Sequence, residues 1–174
     1  LFVSNSMPVR DLDRFGEPRT GDITVLGNRG ASGIDGITST ALGAGSATAD
    51  PLVLVTGDLA YYHDMNGLLA LARCDVDATI VLVDNDGGGI FHMLPIEDHE
   101  TFESQFKTPH GLDFEPTGEL YGLSFERLEG REAFVDAFER SVGSDGTQVL
   151  SVAFDAADSH ARRDALQRRL VDAL

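Results

Sequence analysis

The chain has 174 residues, 42% of them hydrophobic, with 29 acidic against 13 basic side chains and a formal net charge of −16. That size fits one domain with a core of its own, and no apolar stretch approaches the roughly 20 residues that a membrane span needs. The acidic balance leaves no basic face for nucleic acid and no polybasic patch for a membrane surface.

Lys107 is the single lysine, and the rest of the basic set is arginine. Abundant Asp beside so little Lys reads as a surface adapted to high salt, where screening relieves self-repulsion. A plainer acidic cytoplasmic protein remains the other reading. The lone Cys74 excludes an internal disulfide and a cysteine-rich zinc site, and a reducing cytoplasm is the default location. The chain opens at Leu1 inside the apolar run Leu1-Phe2-Val3, without the charged n-region of a signal peptide. We read this as a start partway through a larger protein.

Taken in chain order, short apolar runs predict strands over Leu1–Ser4, Ile23–Leu26, Leu52–Thr56, Thr79–Asp84, Ser124–Leu128 and Gln148–Phe154. Several are continuous rather than alternating, the pattern of strands buried on both faces in a parallel sheet. Helices are predicted over Gly36–Ala47, Tyr61–Arg73, Arg131–Val142 and Ser159–Leu174, the last with Ala161, Ala165, Leu166, Leu170 and Ala173 near helical spacing. Repeated strand–helix units imply right-handed crossovers and a three-layer, doubly wound α/β domain with a mostly parallel sheet over residues 1–174. The segment Pro95–Glu119, with three prolines and scattered charges, reads as a long excursion over the edge that carries the site.

Open α/β sheets bind ligands at the carboxyl ends of their strands. Three predicted strand ends carry unusual residues: Gly27 to Gly33, Gly57-Asp58-Leu59-Ala60, and Asp84-Asn85-Asp86-Gly87-Gly88-Gly89. Asp58 and Asn85 are 27 positions apart, one strand–helix–strand unit, which would bring both side chains to the same edge. A carboxylate, an amide oxygen and a backbone carbonyl are the hard ligands that Mg²⁺ takes, with phosphate oxygens completing its octahedron. Glycines at 87–89 allow a diphosphate close to the backbone, and helix N-termini after Asp58 and after the glycines would add N–H groups. Read singly, Asp58 is equally well a helix N-cap and Gly87–Gly89 a loop.

Other phosphate and catalytic motifs fit worse. Lys107 lacks a Walker context, Gly27, Gly30 and Gly33 are spaced G-x-x-G-x-x-G, and no G-x-S-x-G or H-E-x-x-H occurs. The five histidines read as surface or loop residues.

Gly57-Asp58-Leu59 and Asp84-Asn85 resemble the signature of thiamine-diphosphate enzymes, Gly-Asp-Gly followed some two dozen residues later by Asn-Asn. Leu59 stands for the last signature glycine and Asp84 for the first asparagine, while both metal-ligand positions are kept. Together with Ser4-Asn5-Ser6-Met7-Pro8-Val9-Arg10, Asn28 to Gly36, Asn85 to Phe91 and Thr108 to Phe114, the pattern resembles the 2-succinyl-5-enolpyruvyl-6-hydroxy-3-cyclohexene-1-carboxylate synthase family of menaquinone biosynthesis. The resemblance runs from Leu1 to about Tyr121 and covers that family's C-terminal domain.

The resemblance implies thiamine diphosphate with Mg²⁺ (or Mn²⁺) as cofactors, and a transferase that decarboxylates 2-oxoglutarate and adds the resulting succinyl carbanion to isochorismate. It implies Asp58, Asn85 and the Gly87 carbonyl as metal ligands, with Ile34, Gly57, Leu59, Gly88, Gly89 and Ile90 also around the cofactor. Ser6, Arg10 and Arg29 would contact substrate, with Phe91 and Leu94 walling the reacting carbon. Both substrates are dicarboxylates, which guanidinium forks match bidentately. The cofactor-activating glutamate would belong to a pyrimidine-binding domain of a partner subunit, so this chain carries no catalytic residue of its own. Pyrimidine-binding and middle domains would precede it in a homo-oligomeric full-length protein, and the isolated chain would be inactive. An acetolactate-synthase-like or decarboxylase domain, and a non-catalytic binding or assembly domain, are the other readings.

Overall fold

The computed structural model describes residues 1–18 and 20–173. It forms two compact units: Leu1–Asp84 with Asp113–Ala153, and Asn85–Leu112 with the segment from Phe154 onward.

The first unit contains a sheet of five strands, β1 (Phe2–Val3), β2 (Leu52–Gly57), β3 (Ala78–Asp84), β4 (Ser124–Arg127) and β5 (Gln148–Ala153), in the order β1-β2-β3-β5-β4. Every pairing is parallel. The central strands are apolar on both faces, as the unbroken runs predicted. In β5, Val149 belongs to one core cluster and its neighbour Leu150 to another. On the first face, Leu54, Ile80 and Leu82 pack with Ile37, Ala41 and Leu42 of α2 (Ile37–Gly45), with Ala60 and Tyr61 of α3 (Asp58–His63), and with Leu71 of α4 (Ala70–Cys74). On the other, Leu150 and Val152 meet Phe134, Ala137 and Phe138 of α6 (Arg131–Val142), and Thr79 shares a 2.7 Å hydrogen bond with Ser141. Fully burying such aliphatic side chains is worth about 1.5–3 kcal/mol each. The chain moves β1→β2→β3 in one direction with α2, α3 and α4 on one face, then β4→β5 in reverse with α6 on the opposite face. Right-handed crossovers require that inversion, and the doubly wound α/β expectation holds.

Local expectations needed correction in four places. Residues 23–26 form no strand: a single bridge joins Leu26 to Phe2, and Ile23, Val25 and Leu26 are about half exposed. The predicted helix over Tyr61–Arg73 is three pieces, α3, a 3₁₀ segment Met65–Leu69, and α4. The break falls where Asp64 turns aside to accept the Ser39 backbone N–H at 2.7 Å and its hydroxyl at 3.0 Å. Helix α1 (Met7–Phe15) was not anticipated; Pro8 lies in its first turn, where a missing N–H costs nothing. Residues 95–119 form no single excursion but a series of short turns, with a 3₁₀ turn Pro95–Asp98, a π turn Glu103–Lys107 and α5 (Thr117–Tyr121).

The second unit is built on α7 (Ala156–Asp172), which packs against a 3₁₀ turn over Gly89–Met93. This helix starts three residues before the predicted Ser159 because the Asp155 carboxylate caps it, accepting the Asp158 N–H at 2.8 Å. That N–H holds Asp155 below the usual carboxylate range. The predicted end at Leu174 lies outside the described residues. Among the described residues no helix is long and apolar enough to cross a membrane.

Candidate functional site

In the first unit, parallel strands bring their carboxyl ends to one edge, where the turns after β1, β2 and β3 emerge. After β1 comes Asn5, 2% exposed. Its amide donates to the carbonyls of Asn28 at 2.9 Å and Gly33 at 2.6 Å, and its oxygen accepts from the Arg29 guanidinium. One buried side chain therefore fixes both ends of the 28–33 loop and the direction of its arginine. Ser6, the next residue, has a positive φ of 68°, and its carbonyl accepts from Arg10 Nη1 at 2.7 Å. Ile34 is half-buried against the main core.

After β2, Gly57 leads into Asp58, the first residue of α3, 3% exposed, whose carboxylate accepts the Leu59 N–H at 2.7 Å. Asp58 is thus inside the first helical turn rather than the N-cap, a position held by Gly57. Register aligns Gly57 with Val83, so Asp58 and Asp84 leave adjacent strands together, and their carboxylate oxygens lie within 4.8 Å of one another. Deeper in this unit, burial pushes the Tyr61 phenol up to about 12; its hydroxyl lies 2.9 Å from Thr117 Oγ1.

The second unit starts at Asn85 and Asp86 and turns through Gly87, Gly88 and Gly89. Gly87 has φ +129°, and a Cβ there would lie 2.2 Å from the Lys107 carbonyl. Side chains at 88 and 89 would be as crowded, 2.7 Å from the Phe106 carbonyl and 2.3 Å from Asn85 Nδ2. Backbone atoms leave no room for a side chain at 87 and 88, both of which are buried, and a side chain at 89 would have to displace the Asn85 amide, so the turn keeps its close-packed backbone only with glycine. The Gly88 N–H donates to Lys107 O at 2.7 Å. The Asp86 carboxylate is held below its usual range, first by the Gly111 N–H and then by that of His110. After the glycines comes the 3₁₀ turn, not the expected α-helix N-terminus. It carries Ile90 and Phe91 half-buried, with Phe91 edge-on to Phe106 at 5.7 Å, while Leu94 beyond it is 47% exposed.

His92 corrects the reading of the histidines as surface residues: it is 5% exposed, its Nδ1 lies 2.7 Å from Glu97 Oε1, and its ring meets Phe102 at 4.8 Å. Sequence reasoning also passed over Asn5, whose role is carried by backbone carbonyls that leave no motif, and Asp84, read only as a departure from a signature.

Each unit carries hard oxygen donors of the type that a divalent cation takes, the buried Asp58 carboxylate in the first and the Asn85 amide in the second.

Residues 21–152 match the family described as thiamine pyrophosphate enzyme, C-terminal TPP binding domain, and the chain belongs to that family. More particularly, it is 74% identical over its full length to the 2-succinyl-5-enolpyruvyl-6-hydroxy-3-cyclohexene-1-carboxylate synthase of Haloarcula marismortui, covering 29% of that protein. It is 63% identical over its full length to the synthase of the same name from Natronomonas pharaonis, covering 30% of it. The chain thus spans under a third of the length of these curated relatives. Among solved structures it resembles the benzoylformate decarboxylase of Polynucleobacter necessarius, with a TM-score of 0.75, 18% identity, and coverage of 90% of this chain and 30% of that one. It also resembles a thiamine diphosphate-dependent 4-hydroxybenzoylformate decarboxylase of Rhodococcus jostii, with a TM-score of 0.72, 19% identity, and coverage of 89% and 29%. These two likenesses concern the fold alone.

Proposed function

We propose that this chain is the diphosphate- and metal-binding part of a cytoplasmic synthase that decarboxylates 2-oxoglutarate and joins the remaining four-carbon unit to isochorismate, in menaquinone biosynthesis. The observation that carries this reading is the 74% identity, over the whole chain, to a protein of that name.

In this reading Asp58, Asn85 and the Gly87 carbonyl hold Mg²⁺ or Mn²⁺, and Gly57, Leu59, Gly88 and Gly89 lie along the diphosphate. Ile34 and Ile90 flank the cofactor. Thiamine diphosphate supplies the carbon nucleophile when bound, and the protein supplies orientation and electrostatics. Arg10 and Arg29, with Ser6, orient substrate carboxylates, while Phe91 and Leu94 exclude water from the reacting carbon. The buried amide of Asn5, bonded to Arg29, supports such a role, because a guanidinium held in one direction loses less entropy on meeting a carboxylate. The activating glutamate comes from the pyrimidine-binding domain of a partner subunit in a homo-oligomeric full-length enzyme.

Calorimetry with thiamine diphosphate, with and without Mg²⁺, beside an assay of 2-oxoglutarate loss in the presence of isochorismate, tests both parts. Metal-dependent binding without turnover by this chain, and turnover by the full-length protein, are expected. Turnover by this chain alone would overturn the division of the site, and absence of turnover with isochorismate by the full-length protein would overturn the substrate assignment.

A further inference from the structure

The glycine turn raises a question of rigidity. Glycine loses more conformational freedom on ordering than any other residue, and three in succession make a turn that would not hold one shape unaided. A cradle that must be ordered by its ligand binds more weakly than one already in shape.

Asp86 is the one residue among 86–89 that has a side chain, and it adopts a positive φ of 56°. Its Oδ1 accepts two consecutive backbone N–H groups, those of His110 at 2.9 Å and Gly111 at 2.8 Å. From the opposite side the Gly88 N–H donates to the Lys107 carbonyl at 2.7 Å. The segment Lys107–Gly111 is thereby tied to the glycine turn at both of its ends, like a strap. It is itself bent at Thr108 (φ 45°) and Gly111 (φ 58°), and successive N–H groups in such a bend form a concavity for an anion. Here the anion is the Asp86 carboxylate. His110 Nδ1 lies 3.5 Å from that carboxylate but accepts the Leu112 N–H at 2.9 Å. The two backbone N–H groups are the closer contacts of that carboxylate, at 2.9 and 2.8 Å, and they carry the attachment.

We propose that Asp86 is a positioning residue, a latch that holds the 107–111 strap on the glycine turn and so preforms the backbone cradle for a diphosphate. The proposal rests on the assignment of that turn to thiamine diphosphate, and its first readout does not. Hydrogen exchange of the His110 and Gly111 amides is compared in the wild-type chain, Asp86→Asn and Asp86→Gly. Asparagine keeps an acceptor and tolerates positive φ, whereas glycine tolerates the φ but removes the acceptor. Loss of bonds to a charged acceptor predicts exchange about 10- to 100-fold faster in Asp86→Gly, with most of the protection restored in Asp86→Asn. Calorimetry with thiamine diphosphate and Mg²⁺ should show about tenfold weaker binding in Asp86→Gly and rescue in Asp86→Asn. Unchanged exchange in Asp86→Gly overturns the latch, and faster exchange with unchanged affinity overturns its positioning role. A wild-type chain that binds no thiamine diphosphate overturns the proposed function instead, while the exchange comparison still decides whether the strap is latched.

Discussion

The Asn5 amide oxygen accepts a hydrogen bond from the Arg29 guanidinium while its Nδ2 serves the carbonyls of Asn28 and Gly33. Asn5→Ala leaves two loop carbonyls without their donor. A loss of about 2 kcal/mol follows, lowering the melting temperature by roughly 4–8 °C. Asn5→Asp keeps the shape and the acceptor for Arg29 but not the donor, and should melt no higher than the alanine variant. Recovery of wild-type stability by Asp would show that the Arg29 bond, not the loop carbonyls, sets the role of this residue.

A second expectation concerns the carboxylates of Asp58 and Asp84, within 4.8 Å of one another. A carboxylate at Asp58 is the hard anionic donor that the proposed cation needs. Asp58→Asn should therefore lose Mg²⁺-dependent binding of thiamine diphosphate in calorimetry while its far-ultraviolet circular dichroism stays that of the wild type. A folded variant that still binds with metal would overturn the assignment of Asp58 as a metal ligand.

Tyr61 predicts behaviour at high pH. Its folded-state value is raised to about 12 from 10.0, so its contribution is fully present below pH 10. As pH rises from 10 to 12 the unfolded chain ionises and the folded chain does not, and stability falls by an amount on the order of 2–3 kcal/mol. Other tyrosines and the arginines titrate in this region too, so the quantity to measure is the difference from Tyr61→Phe in chemical denaturation. That difference should shrink between pH 10 and 12; a difference that stays constant would remove Tyr61 as the cause.

The net charge of −16 predicts a salt response. Screening shortens from about 10 Å at 0.1 M salt to about 3 Å at 1 M, and the melting temperature should rise between the two. The relatives from salt-loving archaea accord with this, and a flat response would leave only an acidic protein.

What could be read from sequence divides along physical lines. Strands β2, β3 and β5 were legible because continuous apolar runs record burial on both faces, and α6 because its bounds carry their own stop signals. The break between α3 and α4 was not, because it depends on a distant partner. Gly67 lies where a Cβ would approach Ser39 Oγ at 2.5 Å, and nothing in the local pattern announces Ser39. Residues 23–26 have strand composition but only a two-residue neighbour to pair with. At the candidate site, Asp58 and Asn85 were singled out through a spacing that reflects one strand–helix–strand unit. Asn5 and Asp86 were passed over as anchors because their partners are backbone atoms, which have no letter in the sequence.

The two edges of the sheet bear on colloidal behaviour. An unpaired strand edge invites another chain to extend it, and charge is the common deterrent; in concentrated salt that deterrent is largely screened. Here β1 offers only two residues, with Leu26 bridged to Phe2. On the far side β4 is four residues long, and Glu126 and Arg127 are each drawn into ion pairs, with Arg140 and with Asp113 and Glu115. Both edges are too short to template a neighbour. Resistance to edge-to-edge aggregation is thus built into strand length, which salt does not weaken.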